Sequence, residues 1–241
     1  MTPRLYLDPA LGALSEGAEI VLPAGAAHHA LRVLRLRAGD AVTLFDGTGG
    51  EWRAAIASAL RREASVRVAE HRAIERESPL AIRLALAVLA TDAMDYAVRK
   101  AVELGAAAIE PVVAARSQGA SRSNRGEHWR RIVLAACEQC GRNRIPPIEA
   151  PRPLDDWLAA RGRATPGVVL VPEANVSLAT IAPAGVLDLL VGPEGGFDAR
   201  EVDAALRSGL RAAALGPRVL KAETACVAAL SVLQAGSGDL R

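Results

Sequence analysis

The sequence predicts an α/β protein in two parts, a small β-rich domain over residues 1–73 and a larger domain over 74–241 built on a mostly parallel sheet. Three observations predict it. Short strand-like runs punctuated by turn residues fill the first 73 positions, and unbroken apolar runs alternating with helical patterns fill the rest. Between them AIERESPLA, at 73–81, is charged, contains Pro79 and has no clear period, as a linker would. Strands alternating with helices join one parallel sheet, and strands apolar on both faces must be covered on both sides.

In the small domain the candidate strands are RLYL, EIVL, AVTLF, WRAAIASAL and SVRVAE. Asp46-Gly47 and Gly49-Gly50 mark a hairpin between the third and fourth. One short helix, AAHHALRVL, interrupts them, and the whole reads as a small β-barrel or sandwich. In the large domain IRLALAVLA, AIEPVV, GVVLVP, VLDLLVG and AAALG are strands, with helices near 92–104, 127–142, 153–161, 199–209 and 224–235. The first helix carries a stripe of Met94, Ala97, Val98, Ala101 and Leu104, with Thr91 or Asp92 as its cap and Gly105 as its stop. The last, TACVAALSVLQA, is apolar nearly all round and needs cover on more than one side, by the sheet and by a second copy of the chain.

Only 3% of residues are aromatic, so the core is built of aliphatic side chains and few rings are available to stack on bases. Of 29 basic residues only Lys100 and Lys221 are lysines. Arginine suits bidentate phosphate contacts, although a GC-rich genome would enrich it too. No run reaches the ~18 apolar residues of a membrane span and the N-terminus lacks a signal-peptide layout, so a cytoplasmic protein is expected. CEQC at 137–140 has no second Cys or His pair, and Trp129, Ile132, Val133, Ala136, Cys137 and Cys140 share one helical face, so packing outweighs a metal or redox site. Trp52 and Trp157, like Trp129, read as packing residues.

The stretch LLVGPEGGFDAREVDAALRSG raises a chemical question. A glycine loop between strand and helix suggests a phosphate cradle, yet the Lys-Ser/Thr of a P-loop and the G-x-G-x-x-G of a dinucleotide site are both missing. Asp198 and Glu201 stand at capping-box spacing, which occupies the positive helix end, and Glu194 would repel an anion. A neutral or cationic ligand remains, close to the backbone at Gly192, Gly195 and Gly196, with Pro193 stiffening the turn. Two further strand ends, LGPRVLKAETA and VVLVPE, close in Gly216-Pro217 and Pro172-Glu173. Ligands of parallel sheets sit outside the carboxyl ends of strands, which makes one shared site.

LVGPEGGF followed by LGPRVLKAETA about twenty residues later, with HHALRVLRLRAGD, KAVELGAAAIEPVVAARS and WRRIVLAACEQCGRNRIPPI in that order, resembles the RsmE family, bacterial methyltransferases of the SPOUT superfamily that modify 16S ribosomal RNA. The resemblance implies a PUA-like β-barrel, a deep trefoil knot in the α/β domain, and a homodimer. The implied reaction is S-adenosylmethionine-dependent methylation of N3 of one uridine in 16S RNA, naked or in the 30S subunit. It implies no metal and no membrane. Other readings are a noncatalytic RNA-binding protein, a SPOUT methyltransferase acting elsewhere on RNA, and a Rossmann-type enzyme, the last disfavoured by the missing fingerprints.

Motif by motif, the resemblance places the cofactor at Leu170 and Pro172, at Gly192, Pro193, Glu194, Gly195 and Gly196, and at Leu215, Gly216, Leu220, Ala222, Thr224 and Ala225. Glu194 either faces the sulfonium or bonds loop N–H groups and holds the turn. Uridine N3 must lose a proton, so a base or an oxyanion stabiliser is needed. The motif candidates are Arg116, Ser117, Glu138, Gln139 and Arg142, with Arg218 and Lys221 near the cofactor; Arg142 could stabilise the negative charge, Glu138 could act beside it or instead be its structural partner at i,i+4, and no general base is assigned. RNA contacts are expected at Arg4, His28, His29, Arg32, Arg35 and Arg37 in the small domain. In the large one they are expected at Arg116, Ser117, Arg122, Arg125, Arg130, Arg131, Arg218 and Lys221, where lysine replaces the family's more usual arginine.

Overall fold

The computed structural model describes residues 2–118 and 125–240. By contacts the chain forms two compact units, Met1–Glu77 with Cys137–Ile145, and Ser78–Ala136 with Pro146–Arg241.

The first unit contains β1 (Arg4–Tyr6), β2 (Glu19–Val21), α1 (Ala24–His28), β3 (Ala41–Phe45), β4 (Glu51–Ala59) and β5 (Ala64–Arg72). They form one sheet in the order β1-β3-β4-β5-β2, with β1 parallel to β3 and the other neighbours antiparallel. Alternation sets its core: Ala64, Val66 and Val68 of β5 turn inward onto Leu5, Leu44 and Ile56. At the β3–β4 hairpin the Thr48 N–H and hydroxyl both donate to Asp46 Oδ1, at 2.9 and 2.7 Å, and Gly47, Gly49 and Gly50 supply the positive φ. Helix α1 runs on through a π turn, His29–Val33, and ends on Arg35 in the left-handed region, φ 57°. Leu36 N–H then donates to Ala30 C=O at 2.9 Å, a seven-to-one closure, one residue wider than the usual one because the turn before it is π.

Residues 137–145 are tied to this unit by a set of polar contacts. Arg142, 4% exposed, donates to Glu77; Asn143 Nδ2 donates to Ile74 C=O; and Arg76 donates to Gly141 C=O at 2.8 Å. Arg4 is buried, donating to Glu51 at 2.7 Å, to Asn143 and to the Arg142 carbonyl. Burial pushes the Glu51 carboxyl up, but hydrogen bonds from Arg4 and Arg76 outweigh it and hold it below its ordinary value of 4.5. A depressed carboxyl contributes stability that is present above that value and lost as pH falls through the folded one. Glu51→Gln is therefore expected to unfold at lower urea than wild type near neutral pH, and the gap is expected to close as pH falls through the lowered value of the folded carboxyl.

The second unit contains β6 (Ala81–Ala87), α2 (Thr91–Glu103), β7 (Ala108–Val113), most of α3 (Arg125–Cys140), β8 (Arg152–Pro153), α4 (Leu154–Ala160), β9 (Gly167–Leu170), β10 (Val186–Val191), α5 (Ala199–Arg207), β11 (Arg211–Ala213) and α6 (Ala222–Ser237). Its sheet, β11-β9-β10-β6-β7-β8, is parallel throughout. The central runs are buried on both faces, Leu84, Ala85, Leu86, Leu189 and Leu190 all at 0% exposure, as their unbroken apolarity predicts. Trp129 and Trp157 are core residues, and Trp52 of the first unit is half-buried against His71.

One local expectation is corrected. Neither Thr91 nor Asp92 caps α2: the cap is Ala90, which offers no side-chain acceptor. Glu194 reaches across instead, accepting the Ala90 N–H at 3.1 Å. Gly105 does end the helix, at φ 75°.

Candidate functional site

Strand order locates the site. The chain leaves β6 toward β7 and β8, while β10, β9 and β11 lie on the other side of β6, so the order reverses beside it. Crevices form at the carboxyl ends of strands at such a reversal. The loop after β6 and the glycine loop after β10 meet there, joined by the Ala90–Glu194 hydrogen bond.

A cavity of about 550 Å³ opens at the ends of β9, β10 and β11, within the second unit. All the sequence-predicted cofactor residues line it except Thr224, which is exposed on the first turn of α6. Leu170 and Pro172 come from the β9 end, Gly192 to Gly196 from the β10 end, and Leu215, Gly216, Leu220, Ala222 and Ala225 from the β11–α6 connection. Sequence reasoning missed Phe197, Val202 and Asp203. Phe197 had a signal, since it closes the GPEGGF motif: its ring lies where a Cβ on Gly192 would come within 3.1 Å. Val202 and Asp203 carried none, because only the start of α5 turns them toward the cavity.

The glycine loop is held from three directions. Gly196 N–H donates to Pro193 C=O at 2.8 Å, Glu194 accepts from Ala90, and Arg116 Nη1 donates to Gly195 C=O at 2.7 Å. Glu194 thus takes a backbone N–H, but from the β6–α2 junction rather than from its own loop. The capping box of α5 is complete: Glu201 N–H donates to Asp198 Oδ1 at 2.8 Å and Asp198 N–H donates to Glu201 Oε2 at 2.9 Å. The helix end that a phosphate would use is occupied by the protein's own carboxylates. Three acids, Glu173, Glu194 and Asp203, line the cavity against two arginines, Arg116 and Arg218. Close backbone, apolar walls and this charge balance fit a neutral or cationic ligand of nucleoside size, within the usual ~300–1,000 Å³ of such pockets.

Of the residues considered for catalysis, Arg116 and Arg218 line the cavity, and Glu138, Gln139 and Arg142 do not. Glu138 and Arg142 belong to the first unit, where Glu138 accepts the Tyr6 N–H at 3.0 Å and Arg142 pairs with Glu77. Burial pushes the Glu138 carboxyl up, against the lowering effect of the Tyr6 N–H. Gln139, next in the motif, is exposed. The expected RNA residues divide as well. Arg4 is committed to the interior, while Arg32, Arg35, Arg37 and His28 are exposed and His29 is half-buried. His28 and Arg32 line a notch of about 300 Å³ with Arg61 and Arg62 at the tip of the β4–β5 hairpin, two residues the sequence reading passed over. In the second unit Arg130, Arg131, Arg218 and Lys221 are exposed and Arg125 is half-buried; Arg122 lies outside the described residues. Ser117 closes its own turn, its hydroxyl accepting the Ala114 N–H at 3.0 Å. Burial pushes the Cys137 and Cys226 thiols up to about 12, which leaves them unreactive, and no metal-holding cluster occurs among the described residues.

The family description "RNA methyltransferase domain" matches residues 76–234 and "RNA methyltransferase PUA domain" matches 22–69. Fold and site therefore define the class, an RNA methyltransferase that couples a PUA domain to a parallel α/β domain. A ribosomal RNA small subunit methyltransferase E from Synechocystis is 32% identical over 90% of this chain and 73% of its own. Among solved structures, a protein of that name from Neisseria gonorrhoeae, bound to S-adenosyl methionine, is 34% identical with a TM-score of 0.93 over 100% of both chains. A putative methyltransferase from Legionella pneumophila with bound SAM is 35% identical, again with a TM-score of 0.93 and 100% coverage of both chains. The chain belongs to the ribosomal RNA small subunit methyltransferase E family.

Proposed function

We propose that the cavity binds S-adenosylmethionine and that the chain methylates N3 of one uridine in 16S ribosomal RNA. The observation that carries this is the convergence of three separated loops on one cavity walled by glycine backbone. Two structures of similar sequence and fold hold the same cofactor.

S-adenosylmethionine supplies the methyl group, and the chain's residues position it. Backbone groups of Gly192 to Gly196 and of Leu215 and Gly216 bind its neutral parts, and Glu194 adds a negative field that suits a sulfonium. Arg116 and Arg218 stand at the cavity to meet RNA phosphate or the developing uridine oxyanion. We assign Glu138 and Arg142 to positioning, because their observed partners tie residues 137–145 into the first unit. In the same reading the first unit closes as a PUA-like barrel, the C-terminal segment threads a knot, and two copies pair. Half-buried Val227, Ala228 and Val232 on α6, with Val219 81% exposed, provide apolar surface for that pairing.

RNA is drawn to the small domain by His28, Arg32, Arg35 and Arg37, joined by Arg61 and Arg62, and to the large one by Arg125, Arg130 and Lys221, with Ser117 shaping the Arg116 turn. Arg35 separates contact from structure. A left-handed conformation costs a non-glycine residue roughly 1 kcal/mol. Arg35→Gly is therefore expected to leave stability unchanged or raised by about 0.5–1 kcal/mol, yet to weaken RNA binding and lower the salt slope by ~1. Filter binding across a salt series, with thermal melts, reads both.

The function itself is tested by calorimetry with S-adenosylmethionine and by mass mapping of 16S RNA from cells lacking the protein. One uridine is expected to lose its methyl group and to regain it when the gene is restored. An unchanged map would sink the assignment.

A further inference from the structure

We infer that Glu201 is a positioning residue for cofactor binding, acting through Arg116 on the glycine loop. The inference rests on the reading of the cavity as the S-adenosylmethionine site. A capping-box glutamate ordinarily spends its carboxylate on the helix end and faces water. Glu201 is 6% exposed and divides its two oxygens: Oε2 accepts the Asp198 N–H at 2.9 Å, and Oε1 accepts the Ala115 N–H at 2.7 Å from the loop after β7, 86 residues earlier.

The bond to Ala115 fixes the backbone just ahead of Arg116. That turn is stiffened again by Ser117, whose N–H donates to Ala114 C=O at 3.1 Å and whose hydroxyl accepts the Ala114 N–H. Arg116 then extends over the glycine loop. Its Nη1 donates to Gly195 C=O, and its stem lies where a Cβ on Gly195 would come within 3.2 Å. From Gly195 the chain returns through Phe197 to Asp198 and Glu201. The circuit closes with two side chains as its only non-backbone links, and it surrounds the part of the cavity wall with the fewest side chains of its own. Glycine is the residue with most conformational freedom to lose, so holding Gly195 and Gly196 in place beforehand removes an ordering cost from ligand binding.

The cap and the bridge are separable. Asp198→Ala removes the acceptor for the Glu201 N–H and is expected to lower the melting temperature while leaving the cofactor Kd within about twofold. Glu201→Ala removes the acceptor for the Ala115 N–H as well as its half of the capping box, and is expected to raise the Kd about tenfold, beyond the effect of Asp198→Ala. Arg116→Ala is expected to do the same. Because Glu201 acts through Arg116, the double variant is expected to stay near tenfold rather than reach about a hundredfold. Calorimetry with S-adenosylmethionine on the full chain, with melts to verify folding, gives all four values. Multiplying effects in the double variant would overturn the inference, as would a wild-type Kd in Glu201→Ala. Failure of the wild-type protein to bind the cofactor would instead overturn the reading of the cavity.

Discussion

Gly195→Trp is expected to weaken S-adenosylmethionine binding at least 100-fold, about 2.7 kcal/mol, while the protein remains folded. The two parts of this expectation have separate causes. Gly195 does not have a positive φ, so a side chain there strains no backbone, and the position is exposed. Surface substitutions of that kind usually change stability by less than ~0.5 kcal/mol. A Cβ at Gly195, however, would come within 3.2 and 3.3 Å of the Arg116 side chain, so an indole would displace Arg116 from the Gly195 carbonyl and occupy cavity volume. Gly216 offers the opposite case: nothing lies within 4 Å of its Cβ direction, but its φ of 107° strains any other residue. Gly216→Ala is thus a backbone test and Gly195→Trp a steric one. Calorimetry with a parallel melt distinguishes them, and retained affinity in Gly195→Trp would mean that the ligand sits elsewhere.

The largest stability effect is expected at the other end of the same strand. Asp188, 1% exposed in β10, accepts from Arg83 Nε at 2.7 Å and from Arg161 Nε at 3.1 Å. Arg161 is also buried, and its remaining nitrogens donate to Ser208 C=O at 2.7 Å and Thr165 C=O at 2.6 Å. Apolar side chains in place of the whole cluster can pack as well as the original, since desolvation offsets much of the attraction in a buried ion pair. Removing only the carboxylate is different, because it leaves a buried guanidinium without its counter-charge. Asp188→Ala is expected to cost about 3–5 kcal/mol and to lower the melting temperature on the order of 10 °C. Urea unfolding measures the first and calorimetric scanning the second; a loss below ~1 kcal/mol would show that solvent reaches Arg161.

Much of this molecule was legible in the order of its residues. All five strands of the first sheet and all but β8 of the second fall on the predicted runs, because burial on one face writes period two and burial on both writes continuous apolarity. The loops at the cavity were legible for a related reason: glycines and prolines at strand ends state where the backbone must bend, and bending is local, whereas Leu170, Leu215, Leu220, Ala222 and Ala225 were named only through the family resemblance. Asp198 and Glu201 likewise declared the cap of α5 by their spacing alone.

Partners distant in the chain were not legible. The ordering of Ala90 by Glu194, of Ala115 by Glu201 and of Gly195 by Arg116 each spans more than 75 residues. The same holds for GRNR at 141–144, where Arg142 reads as a candidate for the chemistry until Glu77, Ile74 and Arg4 are brought to the segment. Sequence by itself determined the periods, the turns and the chemistry available at them, since these depend on neighbours a few bonds away. Only the tertiary structure decided which charges are buried and which loops are held, because a hydrogen bond forms between groups close in space and carries no trace of their separation along the chain.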